Sequence, residues 1–311
     1  MTVATDVSRS RAWLLAARPQ TLPAAFAPVL VGVGLAIDAG VFAPGPALAA
    51  LVGAALIQIG TNFANDYYDA QAGVDTDDRA GFTRVTQAGL LPPETVKMGA
   101  YATFALAILV GTYLVYVGGF PILVVGLLSV ASGLAYAGGP YPLGSYGLGD
   151  LFVFVFFGVV AVTGTYYVQA AAVLASPLSM TVPPGTISVT ALVASLPIAA
   201  LATAILVVNN VRDLETDRAA GKRTLAVLLG YRWSRAEFVA LLALAYTVPT
   251  WLWSTGSDPL VLLPLVTIPY AVSVASTVMN ETSGEALNPA LERTGRLLAA
   301  FAILFALGLA V

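Results

Sequence analysis

The chain has 311 residues, of which 58% are hydrophobic and only 10% charged, against about 25% charged in soluble domains. That balance excludes both a water-soluble globular domain and a disordered chain. Histidine and cysteine are absent, which excludes disulfides, thiolate or imidazole metal sites, and imidazole or thiol catalysis. Chemistry must come from carboxylates, amides, hydroxyls, Lys and Arg, with a hard metal ion as a further possibility.

Charges are costly in a bilayer core and a spanning helix needs about 20 apolar residues, so charge-free runs mark the spans. The first run, 19 residues between Arg18 and Asp38, accommodates one helix, and the next, 27 residues between Asp38 and Asp66, another. The first run follows three arginines, contains Pro23 and Pro28 and lacks a clear cleavage site, so it reads as a retained helix rather than a signal peptide. The 52 residues between Lys97 and Asp150 accommodate two helices turning near Gly118-Gly119. The 61 residues between Asp150 and Arg212 accommodate two more, joined by a connector from Ser176-Pro177 to Pro183-Pro184-Gly185. Glu237–Asp258 and Asp258–Glu281 enclose one helix each, and the tail after Arg296 a last short one. The prediction is an all-α membrane protein with nine transmembrane helices and a single domain over 1–311. It has a cytoplasmic tail at 1–20 and cytoplasmic active-site loops at 66–97 and 210–237. Nine spans place all 14 Lys and Arg on one side, which the positive-inside rule makes cytoplasmic. The N-terminus and active site are then cytoplasmic and the C-terminus lies on the outer side of the cell membrane.

Two acidic clusters end helices four spans apart. One runs Asn65-Asp66-Tyr67-Tyr68-Asp69 and on to Asp75-Thr76-Asp77-Asp78-Arg79; the other runs Asn209-Asn210-Val211-Arg212-Asp213 and on to Asp217-Arg218. The similarity of 76–81 to 216–221 predicts two four-helix pseudo-repeats plus one extra helix around a central cavity, with the clusters facing each other at a cytoplasmic mouth. Asp66 and Asp69 stand at i, i+3 and Asp213 and Asp217 at i, i+4, each pair on one helical face. Like charges so close call for a cation. Mg²⁺ suits carboxylate oxygens and is commonly completed by substrate phosphates. Arg79, Arg84, Lys97, Lys222 and Arg223 nearby fit a diphosphate. At a water-accessible mouth, loss of Asp66 or Asp213 would abolish turnover without unfolding the chain.

Gln58, Asn62, Asn65, Asp66 and Asp69 form one polar stripe up an apolar helix, read as the wall of a cavity. The Gly/Pro-rich stretch 136–150 holds Tyr136, Tyr141, Tyr146 and Asp150 and is expected to cap the site, Tyr rings near a cation. A long apolar substrate with a diphosphate head fits these features; its ionisation leaves an allylic cation shielded from water. A transporter would need polar residues along a path reaching both faces, whereas here the far side is bland. Nothing points to nucleic acid.

These residues resemble the UbiA superfamily of intramembrane prenyltransferases over essentially the whole chain. The nearest resemblance is to the 1,4-dihydroxy-2-naphthoate polyprenyltransferases of menaquinone synthesis. It is carried by Arg18-Pro19-Gln20-Thr21-Leu22-Pro23-Ala24, Asn65-Asp66-Tyr67-Tyr68-Asp69, Gly138-Gly139-Pro140-Tyr141-Pro142-Leu143-Gly144, Gly164-Thr165-Tyr166-Tyr167-Val168-Gln169, and Asn209-Asn210-Val211-Arg212-Asp213 through Asp217 to Thr224. The resemblance implies a lipid-open cavity, Mg²⁺ dependence, and transfer of a polyprenyl group from its diphosphate to 1,4-dihydroxy-2-naphthoate. Asn65, Asp66, Asp69, Asp213 and Asp217 would then organise Mg²⁺ and diphosphate, and Lys222 and Arg223 would contact the diphosphate. Many members of the superfamily pair a Tyr with a Lys four residues later; here Pro140 follows Tyr136, as in the naphthoate branch. Other acceptors within the superfamily are hydroxybenzoate, homogentisate, a tetrapyrrole or a glycerol-ether lipid.

Overall fold

The structure, a computed structural model, describes residues 7–72, 84–137 and 143–311, without the side chains of 69, 72 and 133–137. Its principal helices are α1 (Arg9–Ala17), α2 (Leu22–Asp38), α3 (Pro44–Ala72), α4 (Pro93–Ala137), α5 (Gly149–Leu174), α6 (Val189–Arg212), α7 (Leu214–Ala219), α8 (Leu225–Ser254), α9 (Pro259–Asn280) and α10 (Gly284–Leu309). No strand occurs among the described residues. Seven helical stretches among them are long and apolar enough to cross a membrane, fewer than the nine expected. The difference lies in α4 and α10. α4 is one continuous stretch in that seven, although its backbone leaves helical geometry at Gly119. α10 carries Glu285, Glu292, Arg293 and Arg296 in its first half, which leaves only a short apolar run.

The break in α4 has a local cause. Gly119 takes φ 72 and ψ −162, a region open almost only to glycine. The connector between α5 and α6 docks there: the Phe120 amide donates to the Ser179 carbonyl at 2.8 Å, and the Leu178 amide to the Tyr116 carbonyl at 2.9 Å. A Cβ at Gly119 would collide with the Ser179 backbone. Gly119→Ala is therefore expected to lose at least about 1–3 kcal/mol, read as a lower denaturation midpoint in detergent.

α6 is the central helix. It is largely buried, and Ala194, Ala199, Ala200, Ala202 and Ala204 let neighbours approach closely, the usual route to helix packing where lipid provides no hydrophobic drive. Gly158 in α5 lies against Ala199 so tightly that a Cβ would overlap it. One apolar core joins α2, α5, α6, α8, α9 and α10, with Phe238, Phe301 and Phe305 fully buried. α4 is the opposite case: Ile108, Leu109, Leu127 and Leu128 are all exposed on it.

The N-terminal segment is not a free tail over its described part. α1 packs through Ala12 and Ala16 into a second apolar cluster with Phe63, Val85, Leu91, Val96 and Ala100. Trp13 meets the Phe63 ring edge-on at 5.2 Å. The chain then turns at Arg18, whose φ of 50 lies in the left-handed region, and enters α2.

Candidate active site

The polar stripe on α3 is partly engaged in joining helices. The elbow between α1 and α2 takes up its lower residues. Asn62 Nδ2 donates to the Ala17 carbonyl and to Thr21 Oγ1, both at 2.9 Å. Gln58 Nε2 donates to Thr21 Oγ1 at 3.1 Å, and that hydroxyl donates in turn to the Arg18 carbonyl at 2.9 Å. Asn62 is buried, and its amide joins α3 to the elbow between α1 and α2. Asn62→Leu should therefore lower stability by about 1–3 kcal/mol through the unpaired Ala17 carbonyl while leaving the KM for prenyl diphosphate unchanged, as thermal denaturation and steady-state kinetics would show.

Asp66 is also removed from water. Its side chain is 0% exposed, not at an accessible mouth. Oδ2 accepts from the Val85 amide and Oδ1 from the Thr86 amide, both at 3.0 Å, and Arg18 Nη2 stands 3.7 Å from Oδ2. One carboxylate thus fixes the return of the chain from the first acidic loop and balances a buried guanidinium. Asn65, one residue earlier, is exposed. Arg84 is half-buried at the start of the return turn. Lys97 lies 5.2 Å from the centre of the Tyr67 ring and 3.6 Å from Glu94, a cation held beside an aromatic face at the same end of α3. The side chains of Asp69 and Tyr136, and the whole of Arg79 and Tyr141, lie outside the description.

The second acidic segment is fully described. α6 ends at Arg212, Asp213 links it to α7, and the Asp217 amide donates to the Asp213 carbonyl at 2.8 Å, so the two carboxylates are one helical turn apart. Arg212 is nearly enclosed, its side chain 5% exposed. Its Nε donates to Asp213 Oδ1 at 2.8 Å and its Nη2 to Oδ2 at 2.7 Å, the two-pronged geometry that suits a carboxylate. Nη2 also reaches Asn209 Oδ1 at 2.8 Å, and Nη1 reaches Asn288 Oδ1 on α10 at 2.9 Å. Asn210 is buried beside them in sequence. Asp217 accepts from Lys222 Nζ at 2.7 Å. Arg223 is exposed, and its amide donates to the Ser145 carbonyl at 2.8 Å, which fastens the described end of the Gly/Pro-rich loop to this segment. Asp150, at the start of α5, is 5% exposed and neither carboxylate oxygen has a hydrogen-bond partner.

The structure brings Asn209, Asp213, Asp217 and Lys222 into one segment, with Arg212 and Asn288 as partners that the sequence pattern does not single out. Arg212 stood inside the motif and was counted only as a basic residue. Asn288 lies in no motif; an amide followed by Pro289 near the start of a membrane helix was its one signal.

No group of three or more metal-ligating acids forms among the described residues. Asp213 and Asp217 nevertheless fit Mg²⁺ in kind. Both are hard oxygen donors at one helix end, each balanced by a single basic side chain, and Mg²⁺ needs only one or two carboxylates when phosphate oxygens complete its shell. What the segment can do chemically is bind a divalent cation and, through Lys222 and Arg223, an anion beside it.

Residues 25–302 match the UbiA prenyltransferase family. The chain is 37% identical to a 1,4-dihydroxy-2-naphthoate octaprenyltransferase of Escherichia coli, across 98% of this chain and 96% of that one. It is 38% identical to the protein of the same name from Mycobacterium tuberculosis, across 96% of each. A solved UbiA homolog from Archaeoglobus fulgidus, bound to GPP and Mg²⁺, superposes with a TM-score of 0.60 at 16% identity, covering 94% of this chain and 99% of that one; at that identity the likeness is one of fold. The chain is a multi-pass membrane protein and belongs to the UbiA prenyltransferase family.

Proposed function

We propose that this protein transfers a polyprenyl group from a polyprenyl diphosphate to 1,4-dihydroxy-2-naphthoate, releasing diphosphate and CO₂ and giving demethylmenaquinol, the reduced form of demethylmenaquinone. The observation that carries this reading is identity of 37–38% along nearly the full chain to two 1,4-dihydroxy-2-naphthoate octaprenyltransferases. The local chemistry supports it: a cation-ready acidic segment with Lys222 and Arg223 stands at the end of an apolar helical bundle.

In this reading Asp213 and Asp217, with Asp69 from the first cluster, hold Mg²⁺, and Asn209, Asn210 and Asn65 assist. Mg²⁺ when bound supplies electron withdrawal from the diphosphate, which makes it a better leaving group. Lys222 and Arg223 bind the diphosphate oxygens, with Arg79, Arg84 and Lys97 on the opposite cluster. The apolar helices hold the prenyl chain and exclude water from the allylic cation. Tyr136, Tyr141 and Asp150 belong to the cap over the acceptor. Asp66 serves by positioning, through Arg18 and the 84–86 turn.

The topology of this reading is nine spans. The Gly119 break divides α4 into two, and α10 adds the last. The pseudo-repeats are then α2 through α4 and α5 through α9, with α10 extra, and the two acidic clusters face each other. The distribution of Lys and Arg puts that face in the cytoplasm.

The acceptor is tested by offering the purified protein labelled prenyl diphosphate with Mg²⁺ and, separately, 1,4-dihydroxy-2-naphthoate, 4-hydroxybenzoate or homogentisate. Product is expected with the naphthoate alone. Product with another acceptor and none with the naphthoate would move the protein to a different branch of the family.

A further inference from the structure

The two basic partners of the second acidic segment are held in different ways. Arg212 is enclosed and spends its guanidinium on Asp213, Asn209 and Asn288. To release Asp213 it would have to give up two further hydrogen bonds, to the half-buried amides of Asn209 and Asn288. Lys222 makes one side-chain bond, at 2.7 Å to Asp217 Oδ1, and its side chain is 41% exposed. Asp217 is only 11% exposed. Lys222 follows Gly221, whose φ is 75, and its own amide donates to the Asp217 carbonyl at 3.0 Å. The backbone thus keeps the base of the lysine stem beside the carboxylate even when the ammonium moves. A lysine ammonium on a flexible stem, wetted on one side, is free to change partners; a four-point guanidinium clamp is not.

Resting on the metal–diphosphate reading above, we propose that Lys222 is an exchangeable internal counterion. In the empty site it neutralises Asp217. When Mg²⁺ and diphosphate enter together, the ammonium gives up the Asp217 oxygen to the metal and passes to a diphosphate oxygen. The exchange breaks one charge-assisted hydrogen bond and forms another, with no net transfer of protons. A divalent ion arriving alone must compete with the ammonium and then repels it. A diphosphate arriving with the ion draws the ammonium away. Lys222 therefore makes the two ligands bind cooperatively, and by linkage each improves the affinity for the other by the same factor. Arg212 stays in place and keeps Asp213 oriented throughout.

The test has two titrations by isothermal calorimetry on the full chain in detergent. One uses MgCl₂ alone; the other uses inorganic pyrophosphate at saturating Mg²⁺. Lys222→Met keeps the apolar stem and removes the competitor. It should bind Mg²⁺ alone about fivefold more tightly, the worth of one part-exposed ion pair, and pyrophosphate at least about tenfold more weakly. Lys222→Gln should shift both in the same directions, and Lys222→Arg should keep Mg²⁺ binding near wild type. Adding Asp217→Asn to Lys222→Met should abolish the gain. Unchanged or weaker Mg²⁺ binding in both Lys222→Met and Lys222→Gln, with normal thermal midpoints, would overturn the exchange while leaving the diphosphate site standing. Failure of the wild type to bind pyrophosphate at saturating Mg²⁺ would instead overturn the metal–diphosphate reading itself.

Discussion

Asp66→Ala is expected to cost about 3–5 kcal/mol of stability, the range for breaking a buried ion pair from one side. Its carboxylate is fully enclosed, and its removal leaves the Arg18 guanidinium without that counter-charge and two amides, Val85 and Thr86, without their acceptor. The turn those amides begin packs Val85 and Leu91 against α1, so the damage spreads to the N-terminal helix. Denaturation in detergent would show a markedly lower midpoint. Asp66→Asn keeps the size and one acceptor oxygen and should lose less. A normal midpoint for Asp66→Ala with turnover gone would mean that Asp66 acts on ligand alone.

Asp217→Asn should give the opposite pattern: turnover lower by about 10²- to 10³-fold, the scale for removing one group that stabilises developing charge, with a midpoint close to wild type. Its partner, Lys222, is half in water and can be resolvated at little cost. Asp213→Asn should show both effects together. It removes turnover, and it leaves the enclosed Arg212 fork without a counter-charge while Asn209 and Asn288 remain. Measuring kcat and the denaturation midpoint on the three variants separates the roles. The expected division is that Asp66 acts chiefly on stability, Asp217 chiefly on turnover, and Asp213 on both. Equal behaviour of all three would contradict the division.

The overall architecture was legible because charge is so scarce. The long charge-free runs fall in apolar helices, and the break at Gly119 falls where Gly118-Gly119 predicted a turn. The connector between Ser176 and Gly185 likewise separates α5 from α6. The site was legible in its residue types and in the pairing of Asn209, Asp213, Asp217 and Lys222, which lie close along the chain. What the sequence did not reveal depends on long-range contacts. The stripe Gln58, Asn62 and Asp66 has the periodicity of a cavity wall, but the same periodicity serves to bind the elbow at residues 17–21, and only the position of α1 decides between them. The enclosure of Asp66 has the same origin, since the residues that cover it lie at Arg18 and Val85. Asn288 meets Arg212 across 76 residues of chain, a distance over which no local pattern operates.

A decarboxylative prenyl transfer is measured most directly by its stoichiometry. Purified protein is given a polyprenyl diphosphate and 1,4-dihydroxy-2-naphthoate labelled in its carboxyl group, with Mg²⁺ or with EDTA. Labelled CO₂ and diphosphate are expected in equal amounts, matched by demethylmenaquinol, with Mg²⁺ and none of them with EDTA. Diphosphate released without labelled CO₂, or product formed equally well in EDTA, would contradict it.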